Sequence, residues 1–257
     1  MNERQQRFVF DDVAELYARR RPSYPSQLVD DLIAIAGLRA GSRLLEIGCG
    51  PGTASALLAG RGFELLCLEP GPRLADLARR RLQDDPHAVV VTTTFEEWSV
   101  EAEVFDLVYA AQSFHWIDAS VRLVKSAQAL KPGGTLAIFG NRPLPGAAEV
   151  DADIQKAYAK HAPPLATRGD LSNTRENFAA MLEQSPLFQP AQWREYPWYI
   201  EYTAEAYVEL LQTHSDHQML PVAQRTQLLE AIGAAIIRHG GRLAIDHVTV
   251  LCWAQRK

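Results

Sequence analysis

One stretch constrains this chain more than any other: Leu45-Glu46-Ile47-Gly48-Cys49-Gly50-Pro51-Gly52-Thr53. The apolar run from Arg43 to Ile47 reads as a strand, and Thr53 to Gly60 reads as a helix. Gly48, Gly50 and Gly52 crowd the turn between them. So tight a turn calls on glycine's freedom at positive φ. The same alternation then repeats. Glu64 to Leu68, Ala88 to Thr92, Phe105 to Ala110 and Thr135 to Phe139 read as strands. Pro72 to Gln83 and Asp118 to Leu130 read as helices, with Pro72 suited to a first turn and Asp118 to a cap. Lys131-Pro132-Gly133-Gly134 reads as a turn. Such alternation predicts a parallel sheet with helices on both faces. Ligands of open α/β sheets bind at the carboxyl edge, where helix N-termini offer free amides.

Two helices are expected upstream, Asp11 to Arg20 and one that Ser26 caps and Gly37 ends, separated by Arg21-Pro22-Ser23-Tyr24-Pro25. The texture changes after Asn141. Helices are expected at Ala147–His161, Thr174–Glu183, Ala204–Gln212 and Val222–His239. Strands are expected from Gln192 to Tyr202, where Pro197 argues for an edge, and from Ile245 to Ala254. The expected organisation is one domain over 1–257. Lid helices occupy 1–37, a ligand-binding core 38–140, cap insertions 141–191 and 203–241, and final strands 192–202 and 245–255.

Composition narrows the function classes. The chain has 257 residues, 47% of them hydrophobic, enough to bury a full core. A net charge of −5 disfavours nucleic acid as the main partner. The arginines at 19–21 and 79–81 read as solvated helix faces. Cys49, Cys67 and Cys252 form neither a disulfide framework nor a CxxC site. With a polar N-terminal stretch and short apolar runs, the expectation is a soluble cytoplasmic protein with no membrane association. Oligomeric state is not legible.

A dinucleotide loop favours GxGxxG. Here the spacing is GxGxG, with Thr53 in the place of the last glycine and Glu46 just before the loop. This pattern resembles the class I S-adenosylmethionine-dependent methyltransferases. The expected fold class follows: α/β, a Rossmann-like seven-stranded mostly parallel sheet with helices on both faces, its last strand antiparallel, plus helical cap insertions. The segment Gln112-Ser113-Phe114-His115-Trp116 is similar to a small-molecule subset that includes trans-aconitate-type enzymes. So are Tyr17 to Pro25, Leu130 to Gly134 and Leu210 to Ser215. The resemblance implies S-adenosyl-L-methionine as cofactor, held by Tyr17, Arg21, Glu46, Gly48, Cys49, Gly50, Glu69, Pro70, Phe95, Glu96 and Gln112. Glu69, ending the second strand, would accept both ribose hydroxyls. Phe95 would border the adenine, and Glu96 would accept from its amino group.

Tyr24, His115, Trp116, Trp198 and His214 are the candidate contacts of a small-molecule acceptor. An imidazole at His115 can take a proton from a hydroxyl or amine, or simply position the acceptor; a carboxylate acceptor needs no base. Trp193, Trp198, Tyr199 and Tyr202 are expected mostly to pack the cap. His214, Asp216 and His217 raise the question of a metal. Without an HExxH spacing or a further acid, none is expected. The competing functions are a nicotinamide-dependent oxidoreductase, against which the loop spacing and the lack of a Tyr-x-x-x-Lys pair argue, a non-catalytic S-adenosylmethionine-binding protein, and an RNA or protein methyltransferase, which the acidic net charge disfavours.

Overall fold

The computed structural model describes residues 9–146, 148–166 and 174–257. The expected helix start at Ala147 lies outside them. Seven strands form one sheet: β1 (Arg43–Ile47), β2 (Glu64–Glu69), β3 (Ala88–Thr92), β4 (Phe105–Ala111), β5 (Leu130–Pro143), β6 (Gln192–Thr203) and β7 (Arg242–Gln255). Their order is β3-β2-β1-β4-β5-β7-β6. Six strands run parallel and the last, β7, runs antiparallel. Pro197 therefore sits on an edge strand, the place its lack of an N–H argues for.

By its contacts the chain divides into two compact units. The sheet unit holds Ser23–Asn141, Asn173–Tyr196 and Thr249–Lys257. Its strands show why the sequence reads as continuous apolar runs. Val108 and Ala110 join one buried cluster, and Leu107 and Tyr109 join another. The same split recurs in β5 with Leu136 and Ile138 against Ala137 and Phe139. Successive side chains point to opposite faces, so both faces are covered. Helices α3 (Ser26–Ile35) and α5 (Pro72–Arg81) supply Leu28, Leu32 and Ala78 to one cluster. Helices α6 (Arg122–Ala129) and α9 (Thr174–Glu183) supply Ala127, Phe178 and Leu182 to the other.

Several boundaries differ from expectation. The helix after the glycine loop, α4, is only Ser55–Leu58, because Pro51 to Ala54 are spent in the turn. Asp118 does not cap α6; its Oδ1 accepts from the amide and hydroxyl of Ser120 at 2.9 and 2.7 Å, making a separate turn first. Lys131 to Gly134 lie inside β5 as an irregularity: Phe105 pairs with Leu130, but Leu107 pairs with Thr135. The segment around Phe178, expected in the cap, belongs to the sheet unit. Phe178 and Leu182 are one helical turn apart, and both are buried there.

The helical unit holds Met1–Pro22, Arg142–Ser172 and Pro197–Val248. Its described helices include α1 (Val9–Asp12), α2 (Ala14–Arg20), α7 (Glu149–His161), α8 (Pro163–Ala166), α10 (Ala204–Gln212), α11 (Ser215–Gln218) and α12 (Val222–Arg238). Val150, Ile154 and Ala157 of α7 pack with Leu228, Ile232 and Ile236 of α12. Thr203 caps α10 by accepting from the Ala206 amide at 3.1 Å. No helix among the described residues is long and apolar enough to cross a membrane.

Candidate functional site

The glycine loop leaves the carboxyl end of β1 with Gly48, Gly50 and Gly52 at φ +68°, +56° and +77°. Gly48 is the most constrained. A Cβ there would stand 2.7 Å from the Cβ of Ser113, closer than real Cβ contacts come. Ser113 is fixed because its hydroxyl donates to the Ile47 carbonyl. A Cβ added at Gly52 would meet Ala78 of α5 at 3.4 Å, so the loop passes close to the next helix. The amides of Gly48 and Cys49 both donate to the Leu68 carbonyl, at 2.8 and 3.0 Å. We expect Gly48→Ala to lower stability by about 1–3 kcal/mol through backbone strain and this clash. Urea unfolding measures it, and an unchanged midpoint would show that the loop yields.

Glu69 ends β2 and is buried, 6% exposed. Its Oε2 accepts from the Gly50 amide at 2.8 Å and its Oε1 from the Gly71 amide at 2.9 Å. One carboxylate thus ties the glycine loop to the turn that starts α5. These amides take two of the roughly four acceptor positions of a carboxylate. Pro70 follows, half-buried, and sets the direction of that turn.

Glu46 lies deeper, 1% exposed. Its Oε2 accepts from the hydroxyls of Ser55 and of Tyr109, the latter at 2.9 Å. Burial dominates its titration and raises its pKa to about 7; the two hydroxyls oppose that shift, and Glu69 adds to it. Neither hydroxyl figured in the sequence expectations. Tyr109 faces Glu46 because parallel pairing sets the two opposite each other in neighbouring strands. No local spacing encodes that. Cys49 and Cys67 are buried thiols, and Cys67 lies 3.3 Å from Ser55 Oγ.

The end of β4 carries a second strained residue. Gln112 has φ +58° although it is not glycine. Its amide donates to Phe139 at 2.8 Å, and its Nε2 donates to the Asn141 carbonyl at 3.3 Å. The Tyr24 hydroxyl donates to its Oε1 at 3.4 Å. Strained backbone held by several bonds at a sheet's carboxyl edge is a frequent mark of a site. Tyr24 also stands edge-on to Phe139, ring centres 5.0 Å apart.

Phe95 and Glu96 serve the packing of the sheet unit. The Phe95 ring is buried and stacked on Trp98, with Lys125 Nζ 5.4 Å away. Glu96 Oε1 accepts from the Asp118 amide at 3.2 Å, and its carbonyl accepts from Lys125 at 2.9 Å. His115 lies in a 3-10 turn, Phe114–Trp116, its ring 4.6 Å from that of Trp116. The residue is exposed as a whole, but its ring loses water on the packed side. That desolvation first, and the Arg122 guanidinium second, lower its pKa to about 4.

Tyr17, Arg21, Trp198 and His214 belong to the helical unit. Arg21 lies over the Tyr17 ring, 4.9 Å from its centre, and donates to Thr213 Oγ1 and O at 2.9 and 2.8 Å. Arg20 and Arg19 pair with Glu209. In the second arginine cluster, Arg81 donates to Thr53 Oγ1 in the loop turn at 2.9 Å and Arg79 to Thr92 Oγ1 at 2.6 Å, so these two are not merely solvated. Trp198 stacks on His247 at 4.8 Å. Tyr202 is buried, but Trp193 and Tyr199 are 43% and 72% exposed and do not pack the cap. His214, Asp216 and His217 bring ligand atoms within 4.8 Å of one another, a cluster that their linear spacing argued against. Burial, then Arg21 and His217, push the His214 pKa well down.

Residues 45–138 match the family model described as a methyltransferase domain. Over that stretch the chain carries a methyltransferase domain. The matched stretch runs from the end of β1 into β5 and so contains the glycine loop, Glu69 and Gln112. An uncharacterized methyltransferase of Mycobacterium bovis is 26% identical over 247 residues, 94% of this chain and 93% of its own length. The trans-aconitate 2-methyltransferase of Paracidovorax citrulli is 30% identical over 178 residues, 67% of this chain and 63% of its own. Among solved structures, one from Anaeromyxobacter dehalogenans, described as a candidate type II methyltransferase, aligns with a TM-score of 0.63 at 20% identity, covering 91% of this chain and 97% of that one. A phosphoethanolamine N-methyltransferase of Haemonchus contortus, in complex with S-adenosylhomocysteine, aligns at 0.52 and 15% identity, covering 95% of this chain and 57% of that one. These two likenesses establish the methyltransferase fold.

Proposed function

We propose that this methyltransferase uses S-adenosyl-L-methionine to methylate a small molecule, with a carboxylate or hydroxyl oxygen as acceptor. The observation that carries the cofactor is the Gly50–Glu69–Gly71 clamp. It fixes a buried carboxylate at the carboxyl end of β2, beside a loop whose positive-φ glycines let a ligand approach the backbone. A nucleoside with two free ribose hydroxyls fits such an acceptor. The S-adenosylhomocysteine in a fold neighbour supports the same choice.

When bound, the cofactor supplies a methyl group on a sulfonium, which passes to the acceptor while the bonding pair stays on sulfur. The protein's task is to hold the two partners in line and keep water out, which accounts for a large share of such rate enhancements. Glu69 holds the ribose, with Pro70 and the Gly48-Cys49-Gly50 backbone beside it. Phe95 and Glu96 remain the proposed adenine neighbours. Because the Phe95 ring is buried and the Glu96 carboxylate already accepts an amide, we assign that role to their backbone and to a shared edge of the ring. Gln112, of the same unit, completes the proposed cofactor set.

For the acceptor we retain Tyr24, His115 and Trp116, all of the sheet unit. The similarity to trans-aconitate 2-methyltransferases favours a small carboxylate among the acceptors to try first. His115 stays neutral at physiological pH because its pKa is held near 4. A base so weak suits positioning by hydrogen bond better than proton removal. His115→Ala is therefore expected to raise KM severalfold with a smaller change in kcat. A kcat loss of 100-fold or more, with a pH profile to match, would instead make it the base. The acceptor itself is best sought by following S-adenosylhomocysteine release over a panel of carboxylates, phenols and alcohols. Absence of S-adenosylmethionine binding alongside tight binding of a nicotinamide dinucleotide would overturn the proposal.

A further inference from the structure

We propose that His214, His217 and Tyr158, with Asp216 supporting His217 from behind, form a site for one divalent transition metal, zinc by the chemistry of its donors, inside the helical unit. The four residues come from two places in the chain. His214, Asp216 and His217 surround the start of α11, and Tyr158 lies on α7. Folding alone assembles them.

The case rests on how the donors are aimed. His217 is buried, 4% exposed, and its Nδ1 meets Asp216 Oδ1 at 2.7 Å. A carboxylate only accepts, so Nδ1 carries the ring proton and Nε2 carries a lone pair. A carboxylate behind one ring nitrogen, turning the other outward, is the usual support of a metal-bound histidine. The outward Nε2 meets the Tyr158 hydroxyl at 2.9 Å. The rings of His214 and His217 stand at 77° with centres 5.6 Å apart. Two imidazoles bonded to one tetrahedral ion at about 2.0–2.1 Å place their ring centres roughly 5–6 Å apart. Ligand atoms of His214 and His217 fall within 4.8 Å of each other, so a small closure brings them to a common centre. Two imidazoles and a phenol oxygen make a nitrogen–oxygen set suited to zinc and its neighbours, not to calcium or magnesium.

In this arrangement the metal takes the lone pair of His217 Nε2 and that of His214. The Tyr158 oxygen, released from His217 Nε2, bonds the ion. No proton has to leave either imidazole. The ion would tie α7 to the turn between α10 and α11, which the Tyr158–His217 contact already joins.

The test uses the full chain without an affinity tag, stripped with a chelator and titrated with zinc chloride by calorimetry. We expect one equivalent to bind with a dissociation constant on the order of 10 μM or tighter, and cobalt to give the visible absorption of a tetrahedral site. His214→Ala should weaken zinc binding at least tenfold. That residue is half-buried, and circular dichroism will show whether the variant keeps its fold. His217→Ala should do the same. His239→Ala removes a histidine that lies 3.1 Å from Asp153 on the surface, and should change nothing. No saturable zinc binding, or binding that His214→Ala leaves intact, overturns the proposal.

Discussion

Glu69→Ala is expected to lower S-adenosylmethionine affinity at least tenfold, because on the proposed assignment two hydroxyl contacts to a charged acceptor disappear together. The structure adds a second cause. The same change strips the Gly50 and Gly71 amides of their acceptor, so the loop loses its tether to the α5 turn. The two causes separate with an analogue that lacks both ribose hydroxyls. If Glu69 binds the ribose, the analogue should bind the wild type weakly and lose less affinity than S-adenosylmethionine does on mutation. Equal losses for both ligands would reduce Glu69 to a loop tether, and an unchanged affinity would remove it from the site. Glu69→Gln should fare little better, since an amide N–H₂ would face one of the two glycine amides. Calorimetry on the folded variants decides each case.

Glu46→Gln is expected to make the protein relatively more stable at pH 8 than at pH 5, compared with the wild type. The folded carboxyl titrates near 7, well above the ordinary carboxylate value of 4.5. Between those values the unfolded chain has given up its proton while the folded chain keeps it. Stability is therefore full below about pH 4.5 and falls as pH rises toward 7. A shift of that size corresponds to about 3 kcal/mol, an upper figure because the hydroxyls relax around the charge. Glutamine stays neutral and can still accept from Ser55 and Tyr109 with its carbonyl, so the fall should vanish. Urea midpoints at several pH values between 4.5 and 8 give the comparison. Parallel pH curves for the two proteins would mean that Glu46 does not hold its proton.

Strands β1 to β4 were legible to within a residue because burial leaves unbroken apolar runs, whereas β5 extends beyond the expected Thr135 to Phe139 at both ends. Helix beginnings were less so. Asp118 is a good cap by type, yet Ser120 takes its oxygen and delays α6 to Arg122. The strand-end acids and the loop glycines were legible for a local reason: a turn's conformation and a strand's end are written in adjacent residues. Their partners are set by register and tertiary approach. Tyr109 reaches Glu46 across parallel strands, and Ser113 closes on Gly48 from the far side of the loop. The same limit hid the His217–Tyr158 contact, which joins residues far apart in sequence. The family match runs over the glycine loop, Glu69 and Gln112.

The proton on Glu46 also bears on how any binding experiment is read. A sulfonium cation settling by the loop would favour the ionised carboxyl, and cofactor uptake near pH 7 would then release protons to the buffer. The heat recorded would differ between buffers of low and high ionisation enthalpy even at constant affinity. Measuring in both kinds of buffer would count those protons, and Glu46→Gln would bring the count toward zero.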